Sequence, residues 1–374
     1  MGWDLFCRVI DNYGDIGFCW RLSRQLTTEY GLAVRLWVDD LASLQRICPS
    51  VDPHQTFQQR CGVQINHWNG PFPDIIRADV VIESYGCELP EKYIQAMLPS
   101  HSRSRQPVWI NLEYLSAESW VEEYHGLCSP HPRLPLTKYF FFPGFTANTG
   151  GLLREKDLLV QRDSVQHNAA NWWLQNDLPI PDETEIVISL FCYDTAPISN
   201  LLEAWTHSQT PIRCIIPEGQ ALTLLRNGLN RSALKAGDVI QQDKLTVQII
   251  PFLPQAQYDQ LLWLCDCNFV RGEDSFVRAQ WAGRPFVWQI YPQADNVHHV
   301  KLEAFLNRYS QSLTKESAQA FRAFHHGWNG RERLDWNHFW QHHAIFHQHA
   351  LTWSSQLAVI PDLTFNLVEF CKRQ

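Results

Sequence analysis

Five consecutive positions, Arg271, Gly272, Glu273, Asp274 and Ser275, separate an apolar run ending in a β-branched residue (267–270) from a stretch whose apolar spacing is helical from Phe276 to Gly283. A loop in that place crowns a helix N-terminus. Unpartnered amides and the positive end of the helix dipole attract anions there, and Arg271 adds a fork that matches phosphate oxygens. The chemistry suggested is capture of a phosphate-bearing ligand. An Asp or Ser at a helix start also serves as a plain cap. The density of polar positions behind a buried-type strand, where open α/β sheets take ligands, favours the binding reading.

A second loop of the same kind lies near the start of the chain, between an apolar run (3–10) and a helical stretch (16–30) stopped by Gly31. It holds Asp11, Tyr13, Gly14, Asp15 and Gly17. The spacing is G-x-x-G, not the G-x-G-x-x-G of dinucleotide sites, and two carboxylates flank the turn where they would repel a pyrophosphate. Asp11 or Asp15 is therefore a candidate general base. The competing reading makes Asp15 the helix N-cap and Asp11 a turn former, and it is expected to hold for one of the two.

The elements that must position these loops read as two α/β series. In the first, 34–38, 64–68, 80–83 and 108–111 are strands, 41–47 is a helix, and the Pro- and Gly-bearing 126–151 is loop. In the second, strands fall at 186–191, 212–216, 247–250, 267–270 and 286–291, with helices at 199–205 and 254–264. The fold class expected is α/β, two Rossmann-like domains facing across a cleft lined by strand carboxyl ends. Their expected extents are 1–155 and 185–359 with a connection over 156–184, and a C-terminal helix from about 360 to 374 that packs back on the first domain.

With 374 residues, 45% hydrophobic and 19% charged, the chain is core-forming and long enough for two domains. A net charge of -8 argues against a nucleic-acid backbone as partner. Eleven Cys scattered through apolar runs read as reduced thiols. No leader or membrane span is expected, so the protein is read as soluble and cytoplasmic. The 16 Trp are read mostly as core, with stacking platforms for bases or sugars as a further use. His338 with His342, and His343 with His347, stand at i,i+4 spacing that could seat a metal, although interleaved aromatics favour a core-facing helix.

Four segments carry a family resemblance: 11–17, Glu113 to Glu118, Gly150 to Glu155, and Arg271 through Pro292. Together they resemble the protein-arginine rhamnosyltransferases that modify elongation factor P, over most of the chain to about Leu306. Tyr13 stands where Phe is expected, Tyr258 where Phe is expected, and Arg284 where Lys is expected. The resemblance implies an inverting glycosyltransferase of the GT-B architecture with dTDP-β-L-rhamnose as donor and an arginine of elongation factor P as acceptor. It implies Asp11 as general base and Asp15 as a residue holding donor and acceptor. Tyr193, Gln255, Arg271, Glu273, Asp274 and Ser275 correspond to the donor-binding set, and Phe191, Phe252 and Tyr258 to walls around the thymine.

An arginine is a hard nucleophile. With a pKa of roughly 13, removing its proton at pH 7 costs about 8 kcal/mol. A carboxylate such as Asp11 is therefore expected to take the proton late, while its charge holds the guanidinium in line. Arg271 and the amides near Ser275 would meet the charge growing on the leaving dTDP, and Glu273 and Asp274 would accept hydrogen bonds from hydroxyls or fix Arg271. No Asp-x-Asp pair stands in the chain, so no metal or other cofactor is expected. The rival readings are a nucleotide-sugar epimerase, a transferase to another acceptor, and a non-catalytic nucleotide-binding regulator.

Overall fold

The computed structural model describes residues 2–11, 13–99, 105–229, 231, 233–293 and 296–374, so Asn12 of the first loop lies outside the described residues. The chain divides into two compact units, 1–156 with 358–374, and 157–357.

The first unit opens with β1 (Gly2–Cys7), α1 (Gly14–Tyr30), β2 (Ala33–Val38) and α2 (Leu41–Ile47). Then come β3 (Phe57–Arg60), β4 (Val63–His67), β5 (Val80–Ser84), α3 (Glu91–Ala96) and β6 (Val108–Leu112). The series closes with α4 (Trp120–Tyr124), β7 (Cys128–Pro130) and β8 (Thr137–Phe141). The strands form one sheet in the order β3-β4-β2-β1-β5-β6-β8-β7. The six inner strands are parallel, and an antiparallel strand closes each edge.

Strand β1 lies between β2 and β5, so the chain turns one way and then the other from it. That reversal opens a crevice at the carboxyl end of β1, where the loop to α1 emerges. Helix α1 is stopped by Gly31 in the left-handed conformation (φ 64°), its amide bonded to the carbonyls of Leu26 and Thr27. The C-terminal helix Leu363–Arg373 packs against α1: its N-cap Asp362 accepts from the amides of Thr364 and Phe365, and the Thr364 hydroxyl donates to Gln25 Oε1 at 2.7 Å.

Residues 126–151 are not loop throughout, because β7 and β8 pair antiparallel within them. The prolines that suggested a loop are accommodated at the margin, Pro130 ending an edge strand where no ladder donor is needed. Likewise 156–184 contains two helices, α5 (Leu158–His167) and α6 (Ala169–Gln175), which belong to the second unit.

That unit continues with β9 (Ile186–Leu190), α7 (Ile198–Thr206), β10 (Ile212–Pro217), α8 (Ala221–Gly228), β11 (Val239–Gln242) and β12 (Leu245–Ile250). Next are α9 (Gln255–Leu264), β13 (Cys267–Arg271), α10 (Asp274–Ala282) and β14 (Phe286–Gln289). Helices α11 (His298–Tyr309), α12 (Lys315–Trp328), α13 (Trp336–Trp340) and α14 (His343–Val359) follow. Its sheet has the order β11-β12-β10-β9-β13-β14, parallel except for β11. Here the reversal falls between β9 and β13. A buried two-pronged pair clamps α10 to α9, Arg278 Nε and Nη2 donating to Asp259 at 2.9 and 2.8 Å.

Trp3, Trp20, Trp37, Trp205 and Trp328 are fully buried, so these indoles serve the cores and not a stacking surface. Among the described residues no three His, Cys, Asp or Glu side chains are grouped to hold a metal. The single helix expected for His338, His342, His343 and His347 is broken between α13 and α14, so His338 and His342 do not share one helix, and the His343 Nδ1–H donates to Trp340 O at 2.8 Å. All eleven Cys are unpaired thiols. No helix among the described residues is long and apolar enough to cross a membrane.

Within β1, Asp4 is completely buried and accepts from Arg35 Nε and Nη2 at 2.6 Å each, from Trp37 Nε1 at 3.2 Å, and from the Tyr93 hydroxyl. Removing one member of such a cluster strands a buried charge. Asp4→Ala is expected to lower the unfolding free energy by about 3–5 kcal/mol. Chemical denaturation followed by Trp fluorescence checks this, and a change inside the error of the wild-type curve contradicts it.

Candidate functional site

In the first unit the loop after β1 is held by a carboxylate one turn further on. Asp15 Oδ2 accepts the amides of Ile10 and Asp11, both at 2.9 Å. Asp15 is thus not the N-cap: Tyr13 occupies that position without a side-chain bond, and Asp15 stands in the first helical turn reaching back. The Gly14 amide donates to Asp11 O at 2.7 Å and the Gly17 amide to Tyr13 O at 2.9 Å, closing the turn from inside. The Asp11 carboxylate lies against Gly14, where a Cβ would stand 2.8 Å from Asp11 Oδ2. A glycine is what allows that approach.

Both carboxylates are buried, Asp11 at 8% and Asp15 at 2% exposure. Burial raises the Asp15 carboxyl above its ordinary value of 3.8. The two amides and the Tyr114 hydroxyl oppose that rise, and the charge of Asp11 adds to it. Tyr114, just past β6, donates from its hydroxyl to Asp15 Oδ1 at 3.5 Å, a long bond. Its ring stacks on Tyr85 with centroids 4.2 Å apart and planes 14° apart. Tyr85 follows β5 and adopts φ 58°, left-handed backbone that is costly for a tyrosine. Sequence reasoning did not single out Tyr85, although its place after the 80–84 strand at the same sheet end was a usable signal.

In the second unit Arg271 ends β13 and is 5% exposed. Its guanidinium lies over the rings of Phe191, at 4.5 Å, and Tyr193, at 4.4 Å, and donates to Gln220 Oε1. Among the described residues no carboxylate forms an ion pair with it. A buried cation held by ring faces and one amide keeps most of its charge for an incoming anion. Ser275 Oγ accepts from the Arg271 amide at 3.0 Å and donates back to Arg271 O, so the serine locks the turn. Gly272 has φ 60°, and Trp288 Nε1 donates to its carbonyl at 2.7 Å.

Glu273 is the N-cap residue of α10 and makes no side-chain cap bond. Glu273 and Asp274 are half-buried, and Gln255 Nε2 donates to Asp274 Oδ2 at 3.4 Å. Tyr258, tilted against Phe191 at 5.7 Å, and half-buried Phe252 come from the same carboxyl edge of the sheet. Gln289, which sequence reasoning missed, fixes Tyr193 by accepting its amide at 2.8 Å. The structure therefore gathers Phe191, Tyr193, Gln255, Tyr258 and the loop 271–275 within one unit. It gathers Asp11, Tyr13, Gly14, Asp15 and Gly17 within the other.

A family model described as "Elongation-Factor P (EF-P) rhamnosyltransferase EarP" matches residues 3–372. The chain belongs to the EarP family. Protein-arginine rhamnosyltransferases of Pseudomonas putida and Pseudomonas aeruginosa are 46% and 44% identical to it, each over 98% of both chains. A solved structure concerning EarP-mediated arginine glycosylation of translation elongation factor EF-P is 34% identical, with TM-score 0.71, over 100% of this chain and 99% of that one. A glycosyltransferase from Rickettsia africae, 8% identical with TM-score 0.52, covering 100% and 98%, shares the fold alone. As an EarP family member the chain is an enzyme, a glycosyltransferase of the GT-B architecture.

The contact between Gly14 and Asp11 gives a test. In Gly14→Ala the added methyl must displace the Asp11 carboxylate, and sugar transfer is expected to fall about a hundred-fold, the scale of a small misplacement of a reacting group. The unfolding transition should stay near wild type. Steady-state rates beside a thermal melt check both, and an unimpaired rate contradicts the packing argument.

Proposed function

We propose that this EarP family enzyme moves L-rhamnose from dTDP-β-L-rhamnose to an arginine side chain of elongation factor P, with inversion at the anomeric carbon. The single observation that carries the donor half is the buried Arg271 guanidinium sandwiched between Phe191 and Tyr193 without a carboxylate counter-ion among the described residues. A diphosphate supplies the missing charge. The start of α10 adds aligned peptide dipoles, and Phe191, Phe252 and Tyr258 supply apolar faces for a thymine.

The acceptor half rests on the paired carboxylates. Asp15, committed to two backbone amides, holds the loop in place. Asp11 is the general base, taking the guanidinium proton as the carbon–nitrogen bond forms, since removing it beforehand costs about 8 kcal/mol. Two negative charges at one spot also draw a guanidinium in, which a neutral acceptor would not exploit. Glu273 and Asp274 accept hydrogen bonds from sugar hydroxyls. No step requires a metal, because Arg271 and the helix terminus do what a cation does elsewhere for a leaving diphosphate.

Intact mass of elongation factor P, incubated with this protein and dTDP-β-L-rhamnose, should rise by one deoxyhexosyl group. The gain should persist in excess chelator and vanish in Asp11→Asn while dTDP still binds. An Asp11→Asn variant working at the wild-type rate removes the base assignment, and metal-dependent recovery removes the metal-free mechanism. For the donor pole, Arg271→Ala is expected to weaken dTDP at least ten-fold in calorimetry, about 1.4 kcal/mol. Unchanged affinity would place the diphosphate elsewhere.

A further inference from the structure

The second unit has a cavity at the end of its sheet opposite to Arg271. It has a volume of about 510 Å³ and is lined from the segments that enter β9, β13 and β14, together with α13 and α14. The donor residues described above follow the strands, whereas Glu185, Asp266 and Arg284 precede them, so this cavity is not an extension of that site.

Its charges are arranged unusually. Asp266 is half-buried and, among the described residues, accepts only the Val187 amide, at Oδ2 and 2.8 Å. Arg284 is half-buried and donates from Nε to Trp263 O at 3.1 Å. Among the described residues no ion pair joins these two, although each feels the other's charge, and burial first, with the nearby charge of Arg162, pulls the guanidinium below its ordinary value. Opposite charges in one pocket normally collapse onto each other unless geometry keeps them apart. Glu185 is already occupied by Arg213 at 2.6 Å. Trp340 and His343 stack at 4.9 Å with planes 12° apart, forming a flat wall beside the charged pair, and exposed Glu183 lies at the mouth.

We infer that this cavity binds a free α-amino acid zwitterion, with Arg284 taking the carboxylate, Asp266 the ammonium, and the Trp340–His343 face a flat or cationic side chain. A guanidinium fork suits a carboxylate in a two-pronged contact. The volume is in the range of small-molecule pockets, roughly 300–1,000 Å³. L-arginine is the probe that uses every feature, since its side chain is flat, stacks on indole and is drawn by Glu183.

Calorimetry of the full chain with L-arginine should show saturable binding with Kd tighter than about 1 mM. Agmatine, which lacks the carboxylate, and inorganic phosphate, which lacks the ammonium, should not saturate. Asp266→Asn and Arg284→Lys should each weaken L-arginine at least ten-fold while the thermal unfolding transition stays in place. Arg284→Lys keeps the charge and so remains testable if the other variant folds poorly. Three results overturn the inference: no saturable L-arginine binding, equal binding of agmatine or phosphate, or binding that survives both substitutions and therefore belongs to another site.

Discussion

The arrangement rests on one costly feature, an arginine cation removed from water at the end of a central strand with no carboxylate paired to it among the described residues. Arg271 tolerates that position because the faces of Phe191 and Tyr193 and the amide oxygen of Gln220 replace part of its hydration. The turn behind it cannot relax. Ser275 is bonded to both backbone groups of Arg271, and Trp288 holds the carbonyl of Gly272. A site preorganised in this way does not need to reorganise as charge develops on a leaving group.

The first unit solves the mirror-image problem. Two carboxylates are buried side by side at the equivalent end of its sheet, and their repulsion is met by giving one of them a structural task. Asp15 is committed to the amides of Ile10 and Asp11, which leaves Asp11 as the group whose side chain is placed by the close approach to Gly14. The Tyr85–Tyr114 stack backs that loop, and the positive φ of Tyr85 is strain carried for it. Each unit thus keeps its charged loop rigid through short local bonds and sets it on parallel strands whose reversal of direction opens the crevice.

The cavity at the opposite edge of the second sheet follows a related logic with both signs present. Asp266 and Arg284 precede strands, and each is tied to backbone by a hydrogen bond, Asp266 to the Val187 amide and Arg284 to the Trp263 carbonyl. Arg271, Asp266 and Arg284 are each held by hydrogen bonds to neighbouring groups and, among the described residues, by no ion pair. The buried pair of Arg278 and Asp259, satisfied within itself, shows the contrasting structural use of the same residue types.

Local features were legible in the sequence because they depend on nearest neighbours. Apolar runs became strands, Gly31 and Gly283 stopped helices in left-handed backbone, and the polar loops at 11–17 and 271–275 followed strands as their composition required. Edge strands in a Pro-rich stretch and the helices at Leu158–His167 and Ala169–Gln175 were not legible, since their pairing and packing partners are remote in the chain. The sequence by itself determined which side chains could do chemistry and that they stand at strand ends. Only the tertiary structure decided that Asp15 holds the loop while Asp11 faces Gly14, that Tyr85 backs Tyr114, and that Arg271 is enclosed by rings. Those outcomes depend on strand order, and strand order is fixed by burial summed over the whole unit, which no local pattern encodes.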